Sequence, residues 1–139
     1  MTAPMVIVGA GQAGLQVAES LRAEGHDGAI VLIGEEAAAP YHRPPLSKGV
    51  LSGDMSAEQI EIRGPQALAR KGIDLRAGTR VVAIDRTARQ VRLADGDVLG
   101  YAGLALATGA RLRPLPVPGA GLAGLFGLRT LADTRALMA

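Results

Sequence analysis

The 139-residue sequence contains no cysteine. That excludes a disulfide framework, a thiolate zinc site and a dithiol redox centre within the chain. Any electron transfer it takes part in therefore needs a borrowed cofactor. Tryptophan is absent too, and the aromatics are confined to Tyr41, Tyr101 and Phe126. A core must be built from Ala, Val, Leu and Ile. No apolar run reaches the roughly 18 residues of a membrane span, and the opening Met1-Thr2-Ala3-Pro4 lacks the basic start of a secretory signal. A cytoplasmic location is expected. Like charges do not cluster: the net charge is +2 and the arginines are spread along the chain. That pattern excludes an electrostatic footprint for nucleic acid. The two histidines, His26 and His42, have no partners at metal-ligand spacing, so no metal site is expected. His26 follows Gly25 at a helix end and reads as a surface residue. No Ser-His-Asp arrangement is present, and no internal repeat.

What is present is a hydrophobic content of 48%, enough to argue against disorder, in a length that fits one domain. Met5-Val6-Ile7-Val8 is a short apolar run ending in glycines and reads as a buried parallel strand. Gln12 to Glu24 places Leu15, Ala18 and Leu21 at helical spacing, with Glu19, Arg22 and Glu24 outward. Gly25 stands where a helix C-cap glycine belongs. Ala29 to Ile33 is a second buried strand, completing a right-handed βαβ unit. Ala37 to Asp54 is a Pro- and Gly-rich loop with a short helix. Pro65 to Lys71 suits a short helix, and Ile73 to Arg76 a strand. Val81 to Ile84, Gln90 to Leu93 and Val98 to Tyr101 form an antiparallel meander, with Asp95-Gly96 as a hairpin turn. Leu104 to Ala107 reads as a central parallel strand. Arg111 to Gly127 is a linker, and Leu131 to Met138 begins a helix.

Gly9-Ala10-Gly11-Gln12-Ala13-Gly14 therefore lies between a strand and a helix. Gly9 permits a tight turn, Gly11 lets the backbone approach a pyrophosphate, and Gly14 lets helix and strand pack closely. The helix N-terminus offers N–H groups and a positive dipole end to phosphates. Glu35 lies about 20 residues further on, where a carboxylate accepts hydrogen bonds from an adenosine ribose. Glu36 is adjacent and can share that role. These features specify a dinucleotide without separating FAD from NAD. A small NAD dehydrogenase would continue with further βα units and a Tyr-x-x-x-Lys pair; neither Tyr41 nor Tyr101 has a lysine at that spacing.

Four segments carry a resemblance: Val6 to Gly14, Leu32 to Glu36, Pro40-Tyr41-His42-Arg43-Pro44-Pro45-Leu46-Ser47-Lys48, and Ala107-Thr108-Gly109-Ala110. Together they resemble the ferredoxin reductase family of the pyridine nucleotide-disulfide oxidoreductase superfamily, along essentially the whole chain. The Arg-Pro-Pro-Leu-Ser-Lys string discriminates most, because related disulfide reductases carry CxxxxC at that stage. The resemblance implies that Gly9, Gly11, Ala13 and Gly14 face an FAD pyrophosphate and that Glu35 holds the ribose. It places Arg43, Pro44 and Pro45 on the flavin side and Lys48 beside the isoalloxazine ring, as the one residue with a catalytic role. A cation there stabilises an anionic reduced flavin. Val81 would lie on the adenine side, Ala107, Thr108 and Gly109 over the diphosphate and ribitol, and Arg129 against the cofactor.

The expected fold is α/β: a Rossmann-like FAD-binding βαβ with an inserted antiparallel β meander, truncated before an NAD domain. Residues 1–113 are read as a partial FAD-binding domain, and 114–139 as a linker leading to the absent NAD domain. Family resemblance implies NADH or NADPH as the electron source, bound only by a full-length parent. It implies a ferredoxin-like iron–sulfur protein as acceptor, serving an oxygenase or cytochrome P450. With part of the cradle absent, the isolated chain is expected to bind FAD weakly. The competing reading is a non-catalytic dinucleotide-binding module, or an inactive fragment that needs a second chain.

Overall fold

The computed structural model describes residues 2–139. Its contacts divide it into two compact units. One holds the described residues up to Tyr41 together with Ile62–Gly109; the other holds His42–Glu61 and Ala110–Ala139.

The first unit is built on a parallel sheet. Strand β1 (Met5–Val8) is followed by helix α1 (Gln12–Ala23) and strand β2 (Ile30–Ile33). Helix α2 (Pro65–Arg70) then leads into β3 (Ile73–Arg76). Strands β4 (Val81–Asp85), β5 (Gln90–Leu93) and β6 (Val98–Gly100) form a separate antiparallel sheet, and β7 (Gly103–Leu106) returns to the first. The parallel order is β3-β2-β1-β7. The expected α/β architecture, a Rossmann-like βαβ with an inserted meander, is what the structure contains.

All four residues of β2 are buried because alternate side chains serve different cores. Ile30 and Leu32 join Ile7, Leu15, Ala18, Leu68 and Ile73 on the helix side. Val31 and Ile33 join Val6, Val91, Leu93 and Tyr101 on the meander side. A strand covered on both faces reads as a continuous apolar run rather than an alternating one. Turn residues fit their places: Gly96 has φ +97 in the β5–β6 hairpin, and Gly25, with φ +86, follows α1.

Four expectations change. Strand β7 lies at the sheet edge among the described residues, not at its centre, and Leu106 is 62% exposed. Arg22 does not simply face outward. Its guanidinium donates to the carbonyls of Lys71 (2.9 Å), Gly72 (2.6 Å), His26 (2.6 Å) and Gly28 (2.7 Å). It thereby ties the end of α1 to the entry of β2 and the turn before β3. His26 is half-buried rather than a surface residue, and its Nε2 is buried without a hydrogen-bond partner. Glu19 is also half-buried, accepting from Arg63 Nε at 3.0 Å and Lys71 Nζ at 2.5 Å. The Lys71 bond, with help from Arg63, holds the Glu19 carboxyl below the usual carboxylate range against the opposing effect of burial.

The second unit contains a 3₁₀ turn at Pro44–Ser47, a helical turn at Gly49–Ser52, another 3₁₀ turn at Glu58–Ile60, and helix α3 (Leu131–Met138). Residues 111–127 carry neither helix nor strand. Pro44 and Pro45 favour the start of their turn because proline presets φ and needs no donor. The fully buried Thr134 hydroxyl donates to the Leu46 carbonyl at 3.3 Å, joining α3 to that turn.

Candidate functional site

In the first unit, register brings three strand ends level. Val8 pairs with Ile33 on one side and Leu106 on the other. The residues that follow, Gly9, Gly34 and Ala107, leave the sheet at one carboxyl edge. The chain leaves β1 toward β2, whereas β7 lies on the opposite side of β1. That is a topological switch point, where open α/β sheets form a ligand crevice.

The glycine turn is shaped by close approach. Gly9 has φ +111, and a Cβ there would lie 2.0 Å from the Ala107 carbonyl oxygen. A Cβ at Gly14 would lie 1.8 Å from the Gly9 carbonyl oxygen and 3.3 Å from Leu32 Cδ1. Gly11 differs: a Cβ there would meet nothing within 4 Å. Gly11 is also the N-cap of α1, with no side-chain cap bond and no acidic residue in the first turn. Ala13 is exposed in that turn. The helix end thus presents uncapped N–H groups and an uncompensated dipole beside open space, which suits a phosphate group.

Glu35 and Glu36 have different surroundings. Glu36 is half-buried and accepts from the buried Tyr41 hydroxyl at 2.5 Å. Glu35 is 54% exposed and pairs with Arg80, Nε to Oε1, at 3.5 Å. Val81, next in chain, is half-buried against the meander-side core. The Ala107 amide donates to the Val8 carbonyl at 2.8 Å. Thr108 and Gly109 are exposed, and Gly109 turns the chain with φ +68.

The remaining candidates lie in the second unit. Arg43 is the N-cap of the Pro44–Ser47 turn, and its Nη1 donates to the Arg129 carbonyl at 2.8 Å. Pro44 is exposed, Pro45 half-buried and Lys48 exposed. The Lys48 amide donates to the Pro45 carbonyl at 3.0 Å, and its carbonyl accepts from the Ser52 amide. Arg129 Nε donates to the Ala110 carbonyl at 3.1 Å.

Asp133 organises this group. Its Oδ2 accepts from the amides of Thr130 (2.7 Å) and Arg129 (2.9 Å), and its own amide donates to Thr130 Oγ1 at 3.2 Å. This is a capping box at the start of α3. The Thr130 amide bond is the largest influence holding the Asp133 carboxyl below its ordinary range. Burial opposes it, while the Arg129 amide, the Thr130 hydroxyl and the Arg43 charge reinforce it.

The sequence reading passes over four residues here. Gly34 is one: a Cβ there would lie 2.6 Å from Ala10 Cβ, and its position directly after an apolar strand is the signal. Thr130 and Asp133 carry the S/T-x-x-D capping signature. Arg80 has no sequence signal, because its partner lies 45 positions away.

Comparison with known proteins agrees with this geometry and with the resemblance read from the motifs. The chain is 47% identical to rhodocoxin reductase of Rhodococcus erythropolis over 133 residues, covering 96% of this chain and 31% of that protein. It is 48% identical to putidaredoxin reductase of Pseudomonas putida over 136 residues, covering 96% and 32%. The crystal structure of the ferredoxin reductase for the CYP199A2 system of Rhodopseudomonas palustris superposes with a TM-score of 0.92 at 42% identity, over 99% of this chain and 34% of that one. The chain spans about a third of the length of these relatives. Residues 3–139 match the family described as pyridine nucleotide-disulphide oxidoreductase, and the chain belongs to that family.

Proposed function

We propose that this chain is the FAD-binding portion of an NAD(P)H-dependent ferredoxin reductase. The observation that carries the reading is the turn at the carboxyl edge of β1. It is closed by backbone contact at Gly9 and Gly14, open above Gly11, and set against an uncapped helix end. The α1 N–H groups would hold the pyrophosphate of FAD, with Gly11 and Ala13 leaving room for it. Glu35 would accept from the adenosine ribose. Val81 would flank the adenine, and Ala107 to Gly109 would run past the diphosphate. Arg43, Pro44, Pro45 and Arg129 would line the flavin side, and the exposed Lys48 ammonium would favour negative charge on the ring. Bound FAD would supply the redox chemistry, taking a hydride from reduced nicotinamide and passing on single electrons.

The relatives' names support a small iron–sulfur carrier as acceptor, feeding an oxygenase or a cytochrome P450. Because the chain carries no cysteine, no redox disulfide of its own can take part, which also favours a one-electron carrier over disulfide exchange.

The test uses ADP, whose proposed contacts, Gly11, Ala13 and Glu35, all lie in the first unit. Calorimetric titration should give saturable ADP binding to the chain, and weak binding of FAD. Gly11→Val should fold normally, because its Cβ meets no neighbour, and should lose ADP binding at least tenfold. A Gly11→Val protein that binds ADP as well as the parent would refute the pyrophosphate assignment.

A further inference from the structure

We propose that Arg80 is a positioning residue that orients the Glu35 carboxylate toward the ribose of the bound nucleotide; this rests on the cofactor reading above. Arg80 stands at the entry to β4, remote in sequence from the glycine turn. Its Nε lies 3.5 Å from Glu35 Oε1, with both side chains 54% exposed.

The backbone, not the ion pair, brings these residues together. The Gly34 amide donates to the Arg76 carbonyl at 3.0 Å, the Thr79 amide to the Gly34 carbonyl at 2.8 Å, and the Gly78 amide to the Glu36 carbonyl at 2.9 Å. Segment 76–79 is thereby laced to segment 34–36. From the hairpin side, the Ala94 amide donates to the Arg80 carbonyl at 2.8 Å. Both ends of the ion pair stand on hydrogen-bonded backbone.

An exposed ion pair adds little to stability, so stability does not account for this one. It does restrict a flexible glutamate side chain that would otherwise sample many rotamers. A ligand then finds the carboxylate already aimed, and less ordering entropy opposes binding. The Arg80 guanidinium meets one oxygen, Oε1, of a carboxylate with about four lone-pair sites, so this pairing does not itself bar a ribose hydroxyl from donating to it. Arg80 also pairs with the exposed carboxylate of two adjacent ones; the Tyr41 hydroxyl holds the other.

The experiment titrates the chain with ADP and with 2′-deoxy-ADP. The parent should prefer ADP, and Glu35→Gln should abolish the preference. Arg80→Ala should weaken ADP about three- to tenfold and shrink the preference, while leaving 2′-deoxy-ADP binding and the melting temperature unchanged. Arg80→Lys should restore part of the preference. If Arg80→Ala keeps the parent's preference while Glu35→Gln loses it, the role of Arg80 is overturned and the cofactor reading stands. Equal weakening of both nucleotides would also overturn it, since Arg80 would then act on the phosphates. A parent that binds neither nucleotide would sink the cofactor reading, and Arg80's role with it.

Discussion

The carbonyl oxygen of Ala107 occupies the place where Gly9 would carry a side chain, 2.0 Å from the Cβ position. The Ala107 amide is bonded to the carbonyl of Val8, so the exit of β7 lies tight against the exit of β1. Gly9 also holds φ +111. Gly9→Ala therefore combines backbone strain with a collision, and should cost about 2–4 kcal/mol. Gly11→Ala has φ −83 and open space around its Cβ; it should cost under about 1 kcal/mol. Urea unfolding of the two variants checks this, and equal losses would contradict the packing described.

Arg22 binds four carbonyls in two chain segments, 26–28 and 71–72. Arg22→Met should cost about 2–3 kcal/mol, since hydrogen bonds to a charged group are lost and the part-buried carbonyls of His26 and Gly28 lose their partner. Arg22→Lys should recover little, because an ammonium lacks the planar fork that spans these acceptors. Thermal melts would show this as nearly equal losses; a lysine variant as stable as the parent would count against the fork geometry.

The two carboxylates after β2 should separate by assay. Tyr41→Phe removes the bond to Glu36 and should cost about 1 kcal/mol of stability with ADP affinity intact. Glu35→Gln should leave stability intact and lower ADP affinity. Paired melts and titrations would read both effects, and a reversed pattern would make Glu36 the ribose partner.

Asp133 gives a pH signature. Its folded-state carboxyl titrates below its ordinary range, chiefly through the Thr130 amide. A depressed folded value contributes stability above the unfolded value, about 3.9, and loses it as pH falls through the folded one. The gap in unfolding midpoint between the parent and Asp133→Asn should be full near neutrality and close below about pH 4. Thr130→Ala should cost about 1 kcal/mol. A gap that persists undiminished in acid would mean that the carboxylate charge is not what stabilises the box.

Much of the first unit was legible in sequence because its signals are local. The β1–glycine–α1–β2 order, the Asp95-Gly96 hairpin and the Pro65 helix start each depend on residues within a few positions. Strand placement was less legible: Leu104 to Leu106 is as apolar as an inner strand, yet β7 lies at the edge, and sheet position depends on what pairs alongside. Arg22 looked like an outward residue of an amphipathic helix because two of its four acceptors lie 49 and 50 positions away. Chain order favours Glu35 over Glu36, because it comes first after Gly34; the Tyr41 and Arg80 contacts that give the two carboxylates different surroundings carry no signal in the spacing. Of the site, the glycine turn was readable as geometry. The Arg43 to Lys48 loop was readable only as resemblance, since nothing in its spacing announces a flavin.

The all-apolar β2 strand raises a question of pairing fidelity. Ile30, Val31, Leu32 and Ile33 would be nearly as content on the opposite faces, so a slide of one residue would carry little hydrophobic penalty. Fidelity must come from the strand's end, where the Gly9 amide holds the Ile33 carbonyl, the Gly34 amide holds the Arg76 carbonyl, and Ala10 leaves no room for a side chain at position 34. The turn proposed to cradle a phosphate thus also fixes the alignment of β1 with β2, while the Gly34 amide fixes that of β2 with β3. Damage to it would show first as misaligned chains during folding, before any ligand is present.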